Sequence, residues 1–179
     1  MALKYVIMEG STNMKKAFTL VELLVVMAII GVLAALAVGS FRTAQMRGRD
    51  AQRKSDLKQI SNSLELFYAD YGKYPSDVTG RIAGCPYNPA LSTGTSCTWG
   101  ISEFSDSKTV YFKILPIDPT SPTTEYIYGL VNSSNQKYRL FARLENPKDQ
   151  NIDSSITVIC GSGKLCNFAV TSANTSVSE

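Results

Sequence analysis

The stretch that decides the fold is KKAFTLVELLVVMAIIGVLAALAVGSF, residues 15–41. Two lysines, Lys15 and Lys16, precede a small residue, and no side chain from Leu23 to Val38 is charged or strongly polar. With its flanks, this run approaches the roughly 20 residues that a helix needs to cross the hydrocarbon core of a bilayer. Its one acid, Glu22, lies near the start. An ionisable side chain close to lipid is costly, so its presence indicates a function.

This order of residues resembles the amino terminus of type IV pilins and of the pseudopilins of type II secretion. The matching residues are KKA (15–17), then FTLVELL (18–24), then the apolar run. The resemblance implies that a prepilin peptidase in the membrane recognises the two lysines and cuts between Ala17 and Phe18. The same enzyme would methylate the new amino terminus. The family usually has Gly before the cut, so Ala17 is a departure from its pattern.

The resemblance also gives Glu22 a partner. Cleavage would expose the amine of Phe18, whose ordinary pKa near 8 keeps it mostly cationic at neutral pH. Stacking the apolar helices in a filament excludes water, and a buried carboxylate then needs a cation. The Phe18 amine of a neighbouring subunit can supply it and so fix the axial register. The helix is expected to loosen on assembly between Gly31 and Gly39, which stands where many members carry Pro.

The chain is expected to have an α+β fold in which one long amino-terminal helix packs on a small antiparallel sheet of three or four strands. A leader (1–17, with Met14 as an alternative start) is removed, and residues 18–41 form the filament-core helix. Its amphipathic continuation (42–75) precedes an exposed connecting loop (76–107). Residues 108–179 form the sheet and a C-terminal disulfide loop.

Periodicity supports this division of the chain. Apolar residues from Leu57 to Tyr71 recur at spacings of three and four and so form one stripe. Gly72 and Pro75 are residues that end a helix. Alternation predicts strands at 109–115, 125–131, 137–145 and 156–160. One face of the third strand should cover the apolar stripe, and its members are Tyr138, Leu140, Ala142 and Leu144. Residues 170–179 are polar and are expected to fray.

The four cysteines follow an export segment, where an even number predicts disulfides. We expect the local pairs Cys85–Cys97 and Cys160–Cys166, although four cysteines allow three connectivities. The alternative is a zinc site, for which spacings of twelve and six residues are wider than usual. No cofactor is expected. The resemblance to major pseudopilins makes calcium the metal to consider. Its candidate ligands lack the spacing of an EF-hand. They are Asp118, Glu125, Asp149 and Asp153.

Two readings remain open for the basic segment, residues 42–54. It either touches anionic lipid head groups and later lines a solvated filament groove, or it forms a track for DNA. The segment has no interleaved aromatic residues, and nucleic acid is not an expected partner. The apolar run itself has an alternative, an ordinary signal peptide cut near Ala35 and Ala37.

The predicted function is that of a structural subunit of a type IV pilus or related filament. Its partners would be copies of itself, the prepilin peptidase, an assembly platform and membrane lipid. The chain would wait in the cytoplasmic membrane with its C-terminal domain outside and then enter an extracellular filament. One alternative is a pseudopilin of a type II secretion or DNA-uptake machine. Another is an anchored adhesion protein, for which the 76–107 loop and Trp99 are the hints. No enzyme motif is present, and the chain has no histidine to serve as a general base.

Overall fold

The computed structural model describes residues 18–131, 134–173 and 175–176, without the side chains of residues 36–38. The chain divides into two compact units, Met1–Arg42 and Thr43–Glu179, and helix α1 (Leu20–Tyr71) contributes to both. The predicted leader lies outside the described residues, as do its members Lys15, Lys16 and Ala17. Asn132 and Ser133 of the predicted hairpin turn also lie outside them.

In the first unit, α1 is apolar and is not buried by any of the described residues. It contains a window with a mean hydropathy of 2.8, none of which is buried. Among the described residues, α1 is the one helix long and apolar enough to cross a membrane. A helix that is hydrophobic on all sides needs lipid or other helices around it.

In the second unit, one face of α1 carries the predicted apolar stripe. Leu57, Ile60, Leu64 and Phe67 are fully buried. The helix ends at Tyr71 rather than at residue 75. Gly72 ends it by taking a positive φ of 65°, which costs glycine little because it has no Cβ. The Gly72 N–H donates to the Tyr68 carbonyl at 2.7 Å.

Among the described residues, ten short strands follow α1, and every strand pair is antiparallel. They form two three-stranded sheets, β1-β2-β3 and β10-β7-β6, and two hairpins, β4-β5 and β8-β9. The predicted α+β fold of one long helix on small antiparallel sheets is therefore confirmed. The strands are β1 Asp77–Val78, β2 Arg81–Asn88, β3 Thr93–Ser96, β4 Phe104–Ser105, β5 Val110–Phe112, β6 Ile127–Leu130, β7 Tyr138–Ala142, β8 Ile159–Gly161, β9 Lys164–Leu165 and β10 Phe168–Thr171.

The core forms where β7 faces the helix stripe. Tyr138, Leu140 and Ala142 of β7 are fully buried in the same cluster as the stripe residues, as predicted from their alternation. Leu144 is also buried. β7 is the middle strand of its sheet, so its backbone is paired on both sides while its side chains cover the helix.

The predicted exposed connecting loop at 76–107 is wrong. That segment contains β1 to β4, and it buries Ile82, Tyr87 and Phe104 in the core. The sequence was misleading because Gly84 and Pro86 interrupt β2, and such residues usually mark turns. Here a Cβ on Gly84 would lie 2.6 Å from the Phe104 ring. The Phe104 ring can pack against β2 because glycine has no side chain at this position.

Two further expectations also differ from the structure. One sheet of three or four strands was predicted, and four smaller antiparallel groups are found. The fraying predicted from residue 170 does not begin there, because Val170 pairs with Leu140 in the β10–β7 ladder. Ser172 is buried and its hydroxyl accepts the Tyr138 N–H at 3.2 Å.

Candidate functional site

The part of the processing motif that the structure describes is a helix cap. Thr19 precedes α1, and Glu22 is the third residue of the helix. The Thr19 N–H and hydroxyl donate to Glu22 Oε2 at 2.9 and 2.8 Å, and the Glu22 N–H donates to Thr19 Oγ1 at 3.2 Å. This reciprocal pair is a capping box, which satisfies backbone donors that the first helical turn leaves unpaired. The T-x-x-E spacing of residues 19–22 is the signal for this cap in the sequence.

The cap occupies only one oxygen of the carboxylate. Both bonds from Thr19 reach Oε2, and within the described residues Oε1 of Glu22 accepts none. Phe18, immediately before the cap, is 85% exposed. Glu22 can therefore cap its own helix and accept a cation from elsewhere at the same time.

The two glycines of the apolar helix are not required by packing within one chain. A Cβ built on Gly31 or Gly39 would meet no atom within 4 Å. Both positions are helical in the structure, which therefore contains no loosened segment between them.

Most cations of the basic segment form ion pairs with acids of the second unit. Arg49 donates to Glu145 through Nε at 2.8 Å and Nη2 at 2.5 Å, and Lys54 donates to both oxygens of Asp149 at 2.7 and 2.8 Å. Arg47 is exposed. The segment is therefore not a continuous cationic track, which weakens the DNA interpretation.

Arg53 is the centre of a buried polar cluster that sequence reasoning missed. Its guanidinium is fully buried and donates to Asp118 at 2.8 and 3.1 Å, to Asp50 at 2.9 Å and to Glu145 at 2.7 Å. It also donates to the Thr120 hydroxyl at 2.9 Å. The cluster ties α1 to the loop before β6 and to the segment after β7.

Two acids of this cluster, Asp118 and Glu145, have lowered pKa values because the arginines donate hydrogen bonds to them. Burial opposes ionisation of Asp118, but hydrogen bonds from Arg53 and Thr120 outweigh it and lower its pKa. Hydrogen bonds from Arg49, with a further contribution from Arg53, lower the pKa of Glu145 to about 2 against the effect of burial. One signal could have been read from the sequence: Asp50 and Arg53 are three residues apart on one helix, a spacing at which side chains meet.

A second cluster joins the end of α1 to the β4–β5 hairpin. The Tyr71 and Tyr111 hydroxyls both donate to Asp106, which also accepts the N–H groups of Lys108 and Thr109. Burial alone would raise the pKa of Asp106, but these donors lower it to about 2.

The structure does not bring the four calcium candidates together. Asp118 faces Arg53, Asp149 faces Lys54, and Glu125 accepts from Arg81 at 3.3 Å. Asp153 accepts the N–H and hydroxyl of Ser155. Within the described ranges, no three His, Cys, Asp or Glu side chains converge in a way that could hold a metal ion.

The cysteines are bonded in their local pairs, Cys85–Cys97 and Cys160–Cys166. The first bond ties β2 to the end of β3, and the second closes the β8–β9 hairpin. Trp99, suggested as a ligand contact, is only 4% exposed and packs edge-on against Tyr126 with 6.0 Å between ring centroids. It is a core residue, so it does not support a binding role for its segment.

Comparison with known proteins identifies the amino-terminal motif. Residues 12–38 match the family model described as the prokaryotic N-terminal methylation motif. The chain is 30% identical over 111 residues to the type II secretion system core protein G of Escherichia coli K12, covering 61% of this chain and 69% of that protein. It is 29% identical to the core protein G of Pseudomonas aeruginosa, covering 63% of this chain and 73% of that protein.

A third similarity is to a pilin. The chain is 37% identical over 71 residues to the type IV major pilin protein PilA of Myxococcus xanthus, covering 40% of this chain but only 32% of the length of that pilin. No solved structure matches the chain significantly.

Proposed function

Because this chain belongs to the family of type IV pilins and type II secretion pseudopilins, we propose that it is a structural subunit that polymerises into a type IV pilus or a related filament. The observation that carries the proposal is the apolar part of α1, which has a mean hydropathy of 2.8 and is not buried by the part of the chain that the structure describes. Membrane lipid can cover this surface before assembly, and the same part of other subunits can cover it afterwards. The matched relatives are named as pilins and secretion-system proteins, which favours a structural role over an enzymatic one.

Assembly would pair Glu22 of one subunit with the Phe18 amine of the next. The cap formed with Thr19 fixes the carboxylate at the start of the helix and leaves Oε1 open. A buried carboxylate without a partner is strongly unfavourable, so an incoming ammonium group selects the register in which the two groups meet. Thr19 is then a positioning residue for Glu22.

Processing would come first. A prepilin peptidase would bind near Lys15 and Lys16, cut between Ala17 and Phe18, and methylate the new amino terminus. The subunit would wait in the cytoplasmic membrane with its second unit outside. Arg47 is free to contact anionic lipid head groups, because the acids of the second unit hold the later members of the basic segment.

A pseudopilin is the second candidate within the same family. The alignments with the two core G proteins cover 69% and 73% of those proteins, and they extend well beyond the methylation motif. Electron microscopy of the native cells with and without the gene separates the two. Loss of long surface filaments indicates a pilus subunit, whereas loss of secretion without loss of filaments indicates a pseudopilin.

The assembly proposal is tested by Glu22→Gln and Glu22→Ala in the native cells. Both variants should insert into the membrane and lose the leader but form few or no filaments. Glu103→Gln is the matched control, because Glu103 lies in the second unit and forms an exposed ion pair with Lys113. Wild-type amounts of filament from Glu22→Ala would refute the role of the carboxylate.

A further inference from the structure

The second unit contains an open cavity that filament assembly through α1 does not use. Its volume is about 200 Å³. It lies between the loop before β6, the residues just after β7 and the β8–β9 hairpin. Its lining residues are Arg53, Thr120, Thr123, Thr124, Arg143, Glu145 and Lys164.

The carboxylate on the cavity wall is already paired, and two of the hydroxyls there already donate to a buried acid. Oε1 of Glu145 accepts from Arg49 and from Arg53, and Oε2 accepts from Arg49. The Thr120 and Thr124 hydroxyls both donate to Asp118 Oδ1, at 2.7 and 2.9 Å. The one carboxylate among the lining residues is therefore already neutralised by arginines, and both of these hydroxyl protons are already engaged.

The donors on the same wall are largely unoccupied. The Lys164 ammonium group has no hydrogen bond or ion pair with any described residue, and neither does the Thr123 hydroxyl. Arg143 donates only through Nη1, to the Leu165 carbonyl at 2.6 Å. Within the described chain, its Nε and Nη2 are left for a ligand.

These donors are held by well-fixed backbone. Lys164 lies in the hairpin that the Cys160–Cys166 disulfide closes. That hairpin is docked on the loop before β6, because the Glu125 N–H donates to the Cys160 carbonyl at 2.6 Å. Arg143 reaches the same hairpin through its bond to Leu165. The geometry is therefore present before a ligand arrives.

We propose that this cavity binds an oxyanion: the carboxylate or phosphate group of a small acidic molecule, such as a sugar acid or a sugar phosphate. The planar guanidinium of Arg143 can donate two parallel bonds to such a group. Lys164 adds a mobile positive charge, and Thr123 adds a neutral donor. The cavity is smaller than the pockets that hold drug-sized ligands, so it suits one small acidic group. The site does not depend on the proposed filament function.

The test uses the full chain in detergent, titrated with inorganic phosphate and, separately, with glucuronate. Ionic strength is held constant with sodium chloride, and binding is followed by calorimetry. Glucose serves as the neutral control. We expect saturable binding of at least one anion and none of glucose. Glucuronate alone would identify a carboxylate ligand, and phosphate alone a phosphate ligand.

Three variants make the test specific to this cavity. Arg143→Gln and Lys164→Gln should each weaken binding by about tenfold, the size expected for a lost charge-assisted hydrogen bond. Lys148→Gln removes an exposed lysine that does not line the cavity, and should leave binding unchanged. Fluorescence of buried Trp99 shows that each variant is folded. The proposal is overturned if neither anion saturates up to tens of millimolar, if glucose binds equally, or if Lys148→Gln weakens binding as much as Lys164→Gln.

Discussion

Replacing Arg53 with methionine tests the buried polar cluster that holds the second unit to its helix. Methionine keeps much of the length of the arginine side chain but removes its charge and all its donors. Asp118 and Asp50, whose side chains are 0% and 3% exposed, would then be left without their cation. Removing one partner of a buried ion pair typically costs about 3–5 kcal/mol, because the remaining charge stays buried.

A loss of this size should be easy to measure. For a unit of this length it corresponds to a fall in the melting temperature of about 10–15 °C. Trp99 is the single tryptophan of the chain and is buried in the second unit, so its fluorescence reports unfolding of that unit without contribution from the apolar helix. Urea unfolding followed at the same wavelength gives the change in the free energy of unfolding directly.

Arg49→Met is the matched control. Arg49 also forms an ion pair with Glu145, but their side chains are 32% and 26% exposed. Pairs exposed to this degree contribute about 0–1 kcal/mol. If Arg53→Met destabilised the unit no more than Arg49→Met does, the cluster would not have the structural role given to it here.

Three further predictions concern acid stability, packing and the helix cap. The pKa values of Asp106 and Glu145 are lowered to about 2 in the folded chain. The stability that these acids contribute is therefore present above about pH 4.5 and is lost as the pH falls towards 2. The urea midpoint measured by Trp99 fluorescence should fall over that pH range, and an unchanged midpoint would contradict this prediction. Gly84→Ala places a Cβ 2.6 Å from a fully buried ring and should cost about 1–3 kcal/mol, whereas Gly129→Ala, which meets no atom within 4 Å, should change the urea midpoint little. Thr19→Val removes the hydroxyl of the cap, and with it two of the three bonds between Thr19 and Glu22. It should reduce filament yield in the native cells while leaving membrane insertion intact; wild-type yield would contradict the positioning role of Thr19.

The helix and its two halves could be predicted from the sequence because their signals are local. The uninterrupted apolar run, the three-and-four spacing from Leu57 onwards and the positive φ available to Gly72 each depend on residues close together in the chain. The face of β7 was predicted for the same reason, since alternation from Tyr138 to Leu144 is a local pattern. Each of these features is present in the structure.

Two of the missed features depend on partners far away in the chain. Gly84 looks like a turn residue until Phe104 is seen against it. Arg53 looks like one more member of a basic segment, although its acids lie at positions 118 and 145. Long-range pairing likewise engages three of the four calcium candidates, Asp118, Glu125 and Asp149, with basic side chains. Charge and composition could not show which cations already had partners.

The central claim is that the apolar helix becomes a filament component once a new amino terminus is made at Phe18. The most direct measurement is mass spectrometry of the amino-terminal peptide of the subunit purified from assembled filaments. The proposal predicts a peptide that begins at Phe18 and carries a methylated amine. A subunit that keeps residues 1–17, or one that begins beyond Glu22, would contradict it.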